Sequence, residues 1–310
     1  MASRKTFKNL YNIELKITYK NILRWGLEKR KKVKDHTFLV PHATDKKIAY
    51  LKENRTDATI TWIGHSSFFI QMSGLNILTD PVWAKRMGFA KRLVEPGIFS
   101  DELPVIDVVL ISHNHYDHLD IPSLKKLRGS PVFFVPKAMK VFFQKRGFKN
   151  VEEFDWWSKK QVKNTIFSFV PAQHWSKRTL WDTNKSLWGG WVIYSNQPET
   201  KCIYFVGDSG YFEGFKEIGK KFDIEYILAP IGAYEPEWLT YIQHISPEEA
   251  VQAFIDSGAK KFIQMHYDAF RLSDESSFEA LERLQEDWTR QKIDLSKLKI
   301  LKLGETIDAE

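Results

Sequence analysis

The feature that most constrains this chain is a cluster of metal-binding residue types placed directly after an apolar run. The run, residues 105–111 (VIDVVLI), is typical of a buried strand. Closely behind it come His113, His115, Asp117 and His118. Four such residues cannot share one face of a helix or strand, but a turn can direct all four to one point. An exposed loop has no packing reason to collect three imidazoles and a carboxylate, so the cluster predicts a metal site.

Three further candidate ligands follow other apolar runs of the sequence: His174, Asp208 and His266. Each is a weak signal alone, because a lone histidine after a strand is usually structural and an aspartate in GDSG is typical of a turn. Open α/β folds place their chemistry at the carboxyl ends of strands. We therefore expect the three residues to converge on the 113–118 cluster, with Asp208 bridging two cations.

The remaining sequence alternates short apolar runs with helical patterns. Strands are predicted at 59–63, 67–72, 75–79, 105–111, 131–135, 165–170, 191–194, 202–206, 224–229 and 261–265. Helices are predicted at 120–128, 137–146, 211–221, 246–257 and 274–290. The fourth helix has the clearest ends, because Ser246 and Glu249 can form a capping box and Gly258 suits the C-terminus. A meander of strands followed by strand–helix alternation predicts an α/β fold with helices packed outside the sheet.

Residues 1–55 are predicted to form a basic, partly helical N-terminal extension, and residues 56–310 the main domain. Residues 1–50 contain thirteen basic and four acidic residues, so their net charge is +9, against −2 for the rest of the chain. Apolar side chains recur in the extension at helical spacing, at Phe7, Leu10, Ile13 and Ile17, with Ile22, Leu23 and Trp25 close behind. A basic amphipathic helix of this kind can lie on an anionic bilayer and give peripheral membrane contact. A helix docked on the main domain with a solvated basic face fits the pattern equally well.

Composition sets the expected compartment and weighs against some partners. The single cysteine, Cys202, excludes an internal disulfide and fits a reducing compartment. The N-terminus lacks an apolar signal-peptide core, and no run reaches the roughly 18 apolar residues of a membrane span. We therefore expect a cytoplasmic protein, either free or peripheral at the inner membrane face. A nucleic-acid partner is not expected, because the basic charge is confined to the extension.

Several whole phrases of the sequence resemble one known family. They are TWIGHSSFFIQMSGLNILTDPVW (61–83), ISHNHYDHLD (111–120), PAQHWSKRTLWDTNKSLWGGW (171–191), FVGDSGYFEGFKEIGKKF (205–222), APIGAYEPEWLTYIQHISPEEAV (229–251) and MHYDAF (265–270). From about residue 58 to 305 the chain resembles the N-acylphosphatidylethanolamine-hydrolysing phospholipase D family of the metallo-β-lactamase superfamily. The resemblance implies a hydrolase with a four-layer αββα fold, in which two mixed β-sheets pack together and helices cover both outer faces. It also suggests a homodimer.

The resemblance assigns the candidate ligands to two zinc ions, and the same donor set accepts iron or manganese. His113, His115 and His174 would bind one ion, Asp117, His118 and His266 the other, and Asp208 would bridge them.

Further residues are expected around this metal site. Asp80, in the phrase LTDP, matches a family motif whose carboxylate supports the metal loop by hydrogen bonds. His65 would border the site or be a buried structural histidine. The resemblance places Gln243 and His244 beside the substrate, where His244 could contact the phosphate or protonate the leaving group, and Tyr116 is a further substrate-binding candidate. The tryptophans of an aromatic-rich span would pack in the core or line an acyl-chain groove: Trp156, Trp157, Trp175, Trp181, Trp188 and Trp191.

Two cations of this kind lower the pKa of a shared water, so that a bridging hydroxide is available near pH 7. We expect it to attack a phosphodiester, with Asp117, Asp208 and His244 as the catalytic residues. For an N-acylphosphatidylethanolamine, the products are phosphatidic acid and an N-acylethanolamine. The alternative is a hydrolase of a soluble cyclic phosphodiester or lactone, because fold and metals do not set the substrate. An apolar groove would favour the lipid, and a small polar pocket the alternative.

Overall fold

The computed structural model of the protein describes residues 6–11, 18–29, 34–88, 90–195 and 201–309. Its strands are β1 Thr59–Gly64, β2 Ser67–Met72, β3 Leu75–Thr79, β4 Arg86–Met87, β5 Ala90–Lys91, β6 Val108–Leu110, β7 Val132–Pro136, β8 Val151–Phe154, β9 Lys159–Val162, β10 Thr165–Val170, β11 Gly190–Ser195, β12 Cys202–Phe205, β13 Ile224–Pro230, β14 Lys261–Met265, β15 Leu298–Lys299 and β16 Thr306–Asp308. Its α-helices are α1 Tyr19–Lys29, α2 Ile48–Glu53, α3 Ile121–Leu124, α4 Lys140–Gln144, α5 Gly214–Lys221, α6 Glu237–Thr240, α7 Pro247–Ser257 and α8 Glu279–Arg290.

Two mixed sheets of seven strands each form the centre of the molecule. The first has the order β16-β1-β2-β3-β6-β7-β8 and the second the order β15-β14-β13-β12-β11-β10-β9. In each sheet, consecutive strands pair antiparallel on one side, and strands joined by longer crossovers pair parallel on the other. The parallel halves matter for function, because parallel strands bring their carboxyl ends to the same edge of a sheet.

Strand β7 shows how the layers pack. Phe134 points into the space between the two sheets, where its ring centroid lies 5.3 Å from Phe167 of the second sheet. Phe133, one residue earlier, points to the other face and packs 5.7 Å from Phe143 of α4. Both faces of the strand are therefore covered, as the two-residue side-chain period of a strand allows.

Helices cover both outer faces of this sandwich. Helix α4 packs against β8 of the first sheet, and α7 packs against β13 of the second sheet with α5 and α8 beside it. The layers therefore follow the order helix, sheet, sheet, helix. The predicted αββα fold is confirmed.

The local predictions hold best where hydrophobic periodicity and capping agree. Four strand predictions, 67–72, 75–79, 165–170 and 261–265, match the observed strands, and α7 begins with the predicted capping box of Ser246 and Glu249. The predicted helix 274–290 was wrong at its start, because Phe278 has a φ of 72°, which a right-handed helix cannot contain. The predicted helices 120–128 and 137–146 are each reduced to about one turn, as α3 and α4.

The described part of the N-terminal extension contains the helices α1 and α2. The predicted helical spacing was wrong for Phe7 and Leu10, which lie outside these helices, Leu10 in a turn, and Ile13 and Ile17 lie outside the described residues. Helix α1 does form, and none of its side chains is fully buried. Val40 packs in the core between the sheets, although the division of the chain after residue 55 stays a prediction. Among the described helices, none has the length and apolar character needed to cross a bilayer.

Replacing Phe134 tests the packing between the sheets. We expect Phe134→Ala to lower the free energy of unfolding by about 3–5 kcal/mol, because it removes a buried aromatic side chain and leaves a cavity. Phe99→Ala is the matched control, since Phe99 is 44% exposed, and it should cost less than about 0.5 kcal/mol. Urea denaturation followed by tryptophan fluorescence measures both values. Equal losses in the two variants would contradict this packing.

Candidate metal centre

The candidate ligands come from strand ends of both sheets. His113 follows β6 of the first sheet, and three residues follow strands of the second sheet: His174 after β10, Asp208 after β12 and His266 after β14. Because the two sheets pack face to face, these carboxyl ends meet along one edge of the sandwich. The structure brings all seven predicted ligand residues together there.

One group of donor atoms consists of His113, His115, His174 and Asp208, whose ligand atoms all lie within 4.8 Å of one another. The Nδ1 of His115 is 2.9 Å from the Nε2 of His113 and 3.2 Å from the Nε2 of His174. The Oδ2 of Asp208 is 3.8 Å from the Nε2 of His113 and 3.9 Å from that of His174. These atoms point at a common space that a cation can occupy.

A second group contains Asp117, His118 and His266. The Oδ2 of Asp117 is 3.5 Å from the Nε2 of His118 and 3.4 Å from that of His266. The Oδ2 of Asp208 lies equally close to this group, 3.1 Å from His118 Nε2 and 3.2 Å from His266 Nε2. Asp208 therefore stands between the two groups, where bridging was predicted.

His65 belongs geometrically to the second group. Its Nε2 is 3.2 Å from the Asp117 Oδ2, and it shares the 4.8 Å limit with Asp117, His118 and His266. Burial holds the pKa of His65 at about 3, so its imidazole is neutral and its ring nitrogen can bind a cation or an acidic neighbour.

Buried polar atoms without partners show that the donor set fits a metal. The Nε2 atoms of His118 and His266 and the Oδ1 of Asp208 are buried and have no hydrogen-bond partner among the described residues. A buried polar atom left in this way costs free energy unless something pairs with it. Imidazole nitrogens and carboxylate oxygens are ligands of zinc, iron and manganese alike. Which metal binds, and that two ions bind, stay predictions.

The pKa shifts differ between the two groups of donor atoms. Burial, together with neighbouring imidazoles, lowers the pKa of His113 and His174 well below the ordinary value, so both are neutral as metal ligation requires. Burial alone would raise the pKa of Asp208, but His118 and His266 hold it well below its ordinary value. Conversely, burial opposes charge on His266, yet Asp208 and Asp117 raise its pKa to about 9. The carboxylates thus favour positive charge at this point, which a bound cation would supply.

Contacts behind the ligands orient the imidazole rings. Asp80, at the end of β3, lies 2.7 Å from the Nδ1 of His118 and accepts a hydrogen bond of 2.7 Å from the Ser112 amide. The carbonyl oxygen of Gln243 is 2.8 Å from the Nδ1 of His174. Since a carbonyl or carboxylate oxygen accepts a hydrogen bond from Nδ1–H, each ring presents its Nε2 lone pair to the centre. Asp80 thus occupies the supporting position that the sequence predicted.

Three residues of the site have a backbone conformation that non-glycine residues seldom adopt. The φ angles are 52° at His65, 32° at Asp80 and 61° at His266. The amide of His266 donates to the carbonyl of His65 at 3.2 Å, which ties two of these turns together. Strained positions of this kind cluster at functional sites.

Sequence reasoning missed Arg178, which braces the ligand loop. The largely buried guanidinium donates through Nη1 to the carbonyls of Asn114 at 2.9 Å and Leu119 at 2.7 Å. Its Cζ atom lies 4.0 Å from the ring centroid of Tyr116, whose hydroxyl donates to the Arg178 carbonyl. Arg178 lies within the phrase 171–191 that carries the resemblance, but nothing in that phrase singles out an arginine that donates to backbone carbonyls.

A second missed residue is Asn9 of the N-terminal extension. Its side-chain Oδ1 accepts hydrogen bonds from the His174 amide at 3.1 Å and from the Trp188 indole at 3.0 Å. The extension therefore touches the loop that carries a candidate ligand. Nothing in the local sequence around Asn9 indicates this contact.

A cleft of about 680 Å³ opens on the candidate centre. The three predicted substrate residues, Tyr116, Gln243 and His244, line it beside Asp117 and Asp208. Much of its remaining wall is apolar: Trp25, Trp175, Leu180, Pro236, Leu239 and Leu272. Among the predicted groove tryptophans, Trp175 lines the cleft, whereas Trp188 and Trp191 are buried core residues.

Comparison with known proteins places this geometry in a family. A family model described as a beta-lactamase superfamily domain matches residues 75–267. The chain belongs to the β-lactamase superfamily. The superfamily fold is also seen in Igni18, a metallo hydrolase from Ignicoccus hospitalis, which superposes with a TM-score of 0.66 at 23% identity and covers 82% of this chain and 99% of its own.

Curated members of the β-lactamase superfamily show closer likeness in sequence. The N-acyl-phosphatidylethanolamine-hydrolyzing phospholipase D 1 of Caenorhabditis elegans is 33% identical over 87% of this chain and 78% of its own length. The mitochondrial N-acyl-phosphatidylethanolamine-hydrolyzing phospholipase D of Saccharomyces cerevisiae is 38% identical over 73% of this chain, which spans only 50% of the yeast protein. A metal-dependent hydrolase of Methanopyrus kandleri is 31% identical over 68% of this chain and 84% of its own length. The chain is therefore a metal-dependent hydrolase of this superfamily.

Removing the Arg178 brace should weaken metal binding without unfolding the protein. We expect Arg178→Met to lower metal affinity about 10- to 100-fold, because the carbonyls of Asn114 and Leu119 lose their donor and the ligand loop loses its fixed shape. Competition with a fluorescent zinc chelator measures the affinity. Lys177→Met is the matched control, since it removes a neighbouring charge that lines the same cleft. Unchanged affinity in Arg178→Met would show that the loop holds its shape unaided.

Proposed function

We propose that the protein is a phosphodiesterase of the phospholipase D type, which hydrolyses N-acylphosphatidylethanolamine-like phospholipids to phosphatidic acid and an N-acylethanolamine. The observation that carries the proposal is the cleft, whose apolar walls lead directly to the carboxylates and imidazoles of the candidate metal centre. A phospholipid has the matching division, with a charged phosphodiester joined to long apolar chains. The printed activity of the yeast and nematode relatives supports the same substrate class.

The residues of this chain would bind and orient the phosphodiester. Divalent cations held by this donor set would polarise a phosphoryl oxygen and lower the pKa of a nearby water. Asp117 and Asp208, which reach the cleft, would keep that positive charge facing the substrate. When an acyl chain covers the apolar walls and displaces water, the charges at the end of the cleft would act more strongly on the phosphodiester than they would in solution.

His244 would contact the substrate directly. Its side chain is 16% exposed, and its Nδ1 lies 3.8 Å from the Asp208 Oδ2 without a hydrogen-bond partner among the described residues. The imidazole is therefore available to a non-bridging or leaving oxygen of a phosphodiester placed beside Asp208. Gln243 holds His174 through its carbonyl oxygen, so its own side chain is left to line the cleft.

The lipid substrate would enter the cleft from a membrane surface. Leu180 and Leu272, on the cleft wall, are 79% and 40% exposed, and the neighbouring Trp181 is 80% exposed. Helix α1 adds exposed apolar side chains among basic residues, which is the composition of an interfacial helix. We therefore assign peripheral contact with an anionic bilayer to this side of the molecule, as part of the proposed function.

Replacing the bridging candidate Asp208 tests the reaction. We expect Asp208→Asn to reduce kcat/KM for N-acylphosphatidylethanolamine at least about a thousandfold, because the loss of one carboxylate charge removes several kcal/mol of transition-state stabilisation. Product formation is measured by mass spectrometry of the released N-acylethanolamine. Asp223→Asn, whose side chain is 83% exposed, is the matched control and should keep full activity.

The same assay separates the proposed substrate from the alternative. The wild-type protein, with its metal content measured, is incubated in parallel with the phospholipid, soluble cyclic phosphodiesters and lactones. Turnover of the phospholipid alone supports the proposal. Turnover of a soluble substrate in its place would overturn it and establish the alternative hydrolase.

Trp181 should contribute to vesicle binding. We expect Trp181→Ala to weaken binding to vesicles containing phosphatidylglycerol about tenfold, because an exposed indole loses its burial in the interface. Sedimentation with vesicles measures the bound fraction. Leu295→Ala is the control, since Leu295 is 66% exposed but does not line the cleft. Equal weakening in the two variants would contradict a specific role for this side of the molecule.

A further inference from the structure

A second cavity adjoins the substrate cleft. It has a volume of about 310 Å³ and shares four lining residues with the cleft: Trp25, Glu235, Pro236 and Ser273. These residues therefore form a partition between two neighbouring spaces. The largest side chain of the partition is Trp25, which comes from α1 in the N-terminal extension and not from the sandwich.

The two spaces differ in character. The cleft side of the partition carries apolar residues, including Leu239 and Leu272. The second cavity, which we call the charged chamber, is lined mostly by ionisable residues: Glu28, Lys29, Lys34, Glu235, Arg271 and Asp274. The indole of Trp25 is the largest side chain between the cleft and the charged chamber, so it contributes most to their separation.

Specific contacts hold Trp25 in the partition. Its indole N–H donates to the carboxylate of Asp274, which also forms an ion pair of 2.8 Å with Lys29. The Nζ of Lys29 lies 5.1 Å from the Trp25 ring centroid. The indole is thus fixed to a buried carboxylate on one side and covered by a cation on the other.

The rest of α1 is fastened to the cleft wall through Trp238 of α6. The indole N–H of Trp238 donates to Glu28 at 2.8 Å, and the Cζ atom of Arg24 lies 4.2 Å from the Trp238 ring centroid. Since no side chain of α1 is fully buried, these contacts set its position. Because these contacts lie along one face of α1, they hold the helix in a defined position.

We propose that Trp25 is a specificity-determining residue, which closes the apolar cleft against the charged chamber and so selects ligands whose chains end in a methyl group. A polar chain end that reaches the indole and the neighbouring side chains of Leu239 and Leu272 loses hydrogen bonds to water, which an apolar contact does not replace. With the indole removed, the same polar end reaches the ionisable groups of the chamber. The inference deepens the proposed function, because it assumes an amphiphilic phosphate ester as the ligand.

Binding of non-hydrolysable probes tests this role. The probes are long-chain alkyl phosphonates in matched pairs, which differ only in a methyl or a hydroxyl group at the chain end. Calorimetry of the metal-loaded protein gives the ratio of their dissociation constants. We expect the wild type to favour the methyl-ended probe about 10- to 100-fold, which is the effect of an unpaired buried hydroxyl.

Three variants decide the outcome. Trp25→Ala should bring the ratio close to one, whereas Trp25→Phe keeps an aromatic partition and should retain most of the preference. Leu27→Ala, on the same helix but lining neither cavity and 60% exposed, should leave the ratio unchanged. An unchanged ratio in Trp25→Ala overturns the inference, as does a wild type that binds neither probe or both equally.

The hydrolysis assay keeps this inference apart from the proposed function. If the wild type hydrolyses the phospholipid but Trp25→Ala leaves the probe ratio unchanged, the proposed function is supported and the proposed role of Trp25 is overturned. If Trp25→Ala changes the probe ratio as expected but the wild type hydrolyses none of the phosphodiesters, the role of Trp25 is supported and the proposed reaction is overturned.

Discussion

Two carboxylates buried among imidazoles are the constraint on which the rest of this structure depends. Asp117 and Asp208 are held ionised although most of their surface is withdrawn from water, so they are stabilised by positive charge beside them. The hydrogen bond that Ser112 donates to Asp80, the carbonyl of Gln243 and the turns at strand ends all serve to aim nitrogen atoms at the same point. The fold therefore holds these carboxylates and imidazoles close together at the end of the cleft.

Much of this arrangement could be predicted from the sequence, because the signals are chemical and local. A dense cluster such as His113 to His118 has few explanations besides a cation, and the rule of strand ends extended it to His174, Asp208 and His266. The capping box of α7 was equally predictable, since Ser246 and Glu249 contact each other within a single turn. In each case the interaction partners lie within a few residues, or share a position that the fold class dictates.

The residues that escaped prediction are those whose meaning arises only from tertiary contacts. The segments around Arg178, Asn9 and Trp25 do not indicate the partners of these residues, each of which lies far away in sequence. The short strand β9, KKQV, carries no apolar alternation because it lies at the edge of its sheet and is largely exposed. At Phe278, a left-handed backbone angle overrides a helical pattern of side chains. Local propensity could not reveal any of these features.

The distribution of the donor set over both sheets has a consequence for how the molecule assembles. The loop after β6 belongs to one half of the sandwich, and the loops after β10, β12 and β14 belong to the other. A cation bound by residues of all these loops would link the two halves. No complete coordination sphere would exist until both halves have docked, so the binding energy of a metal would be released late in folding and would add to the stability of the native state. The supply of metal in the cell would then govern how much of this chain persists, as well as how much of it is active.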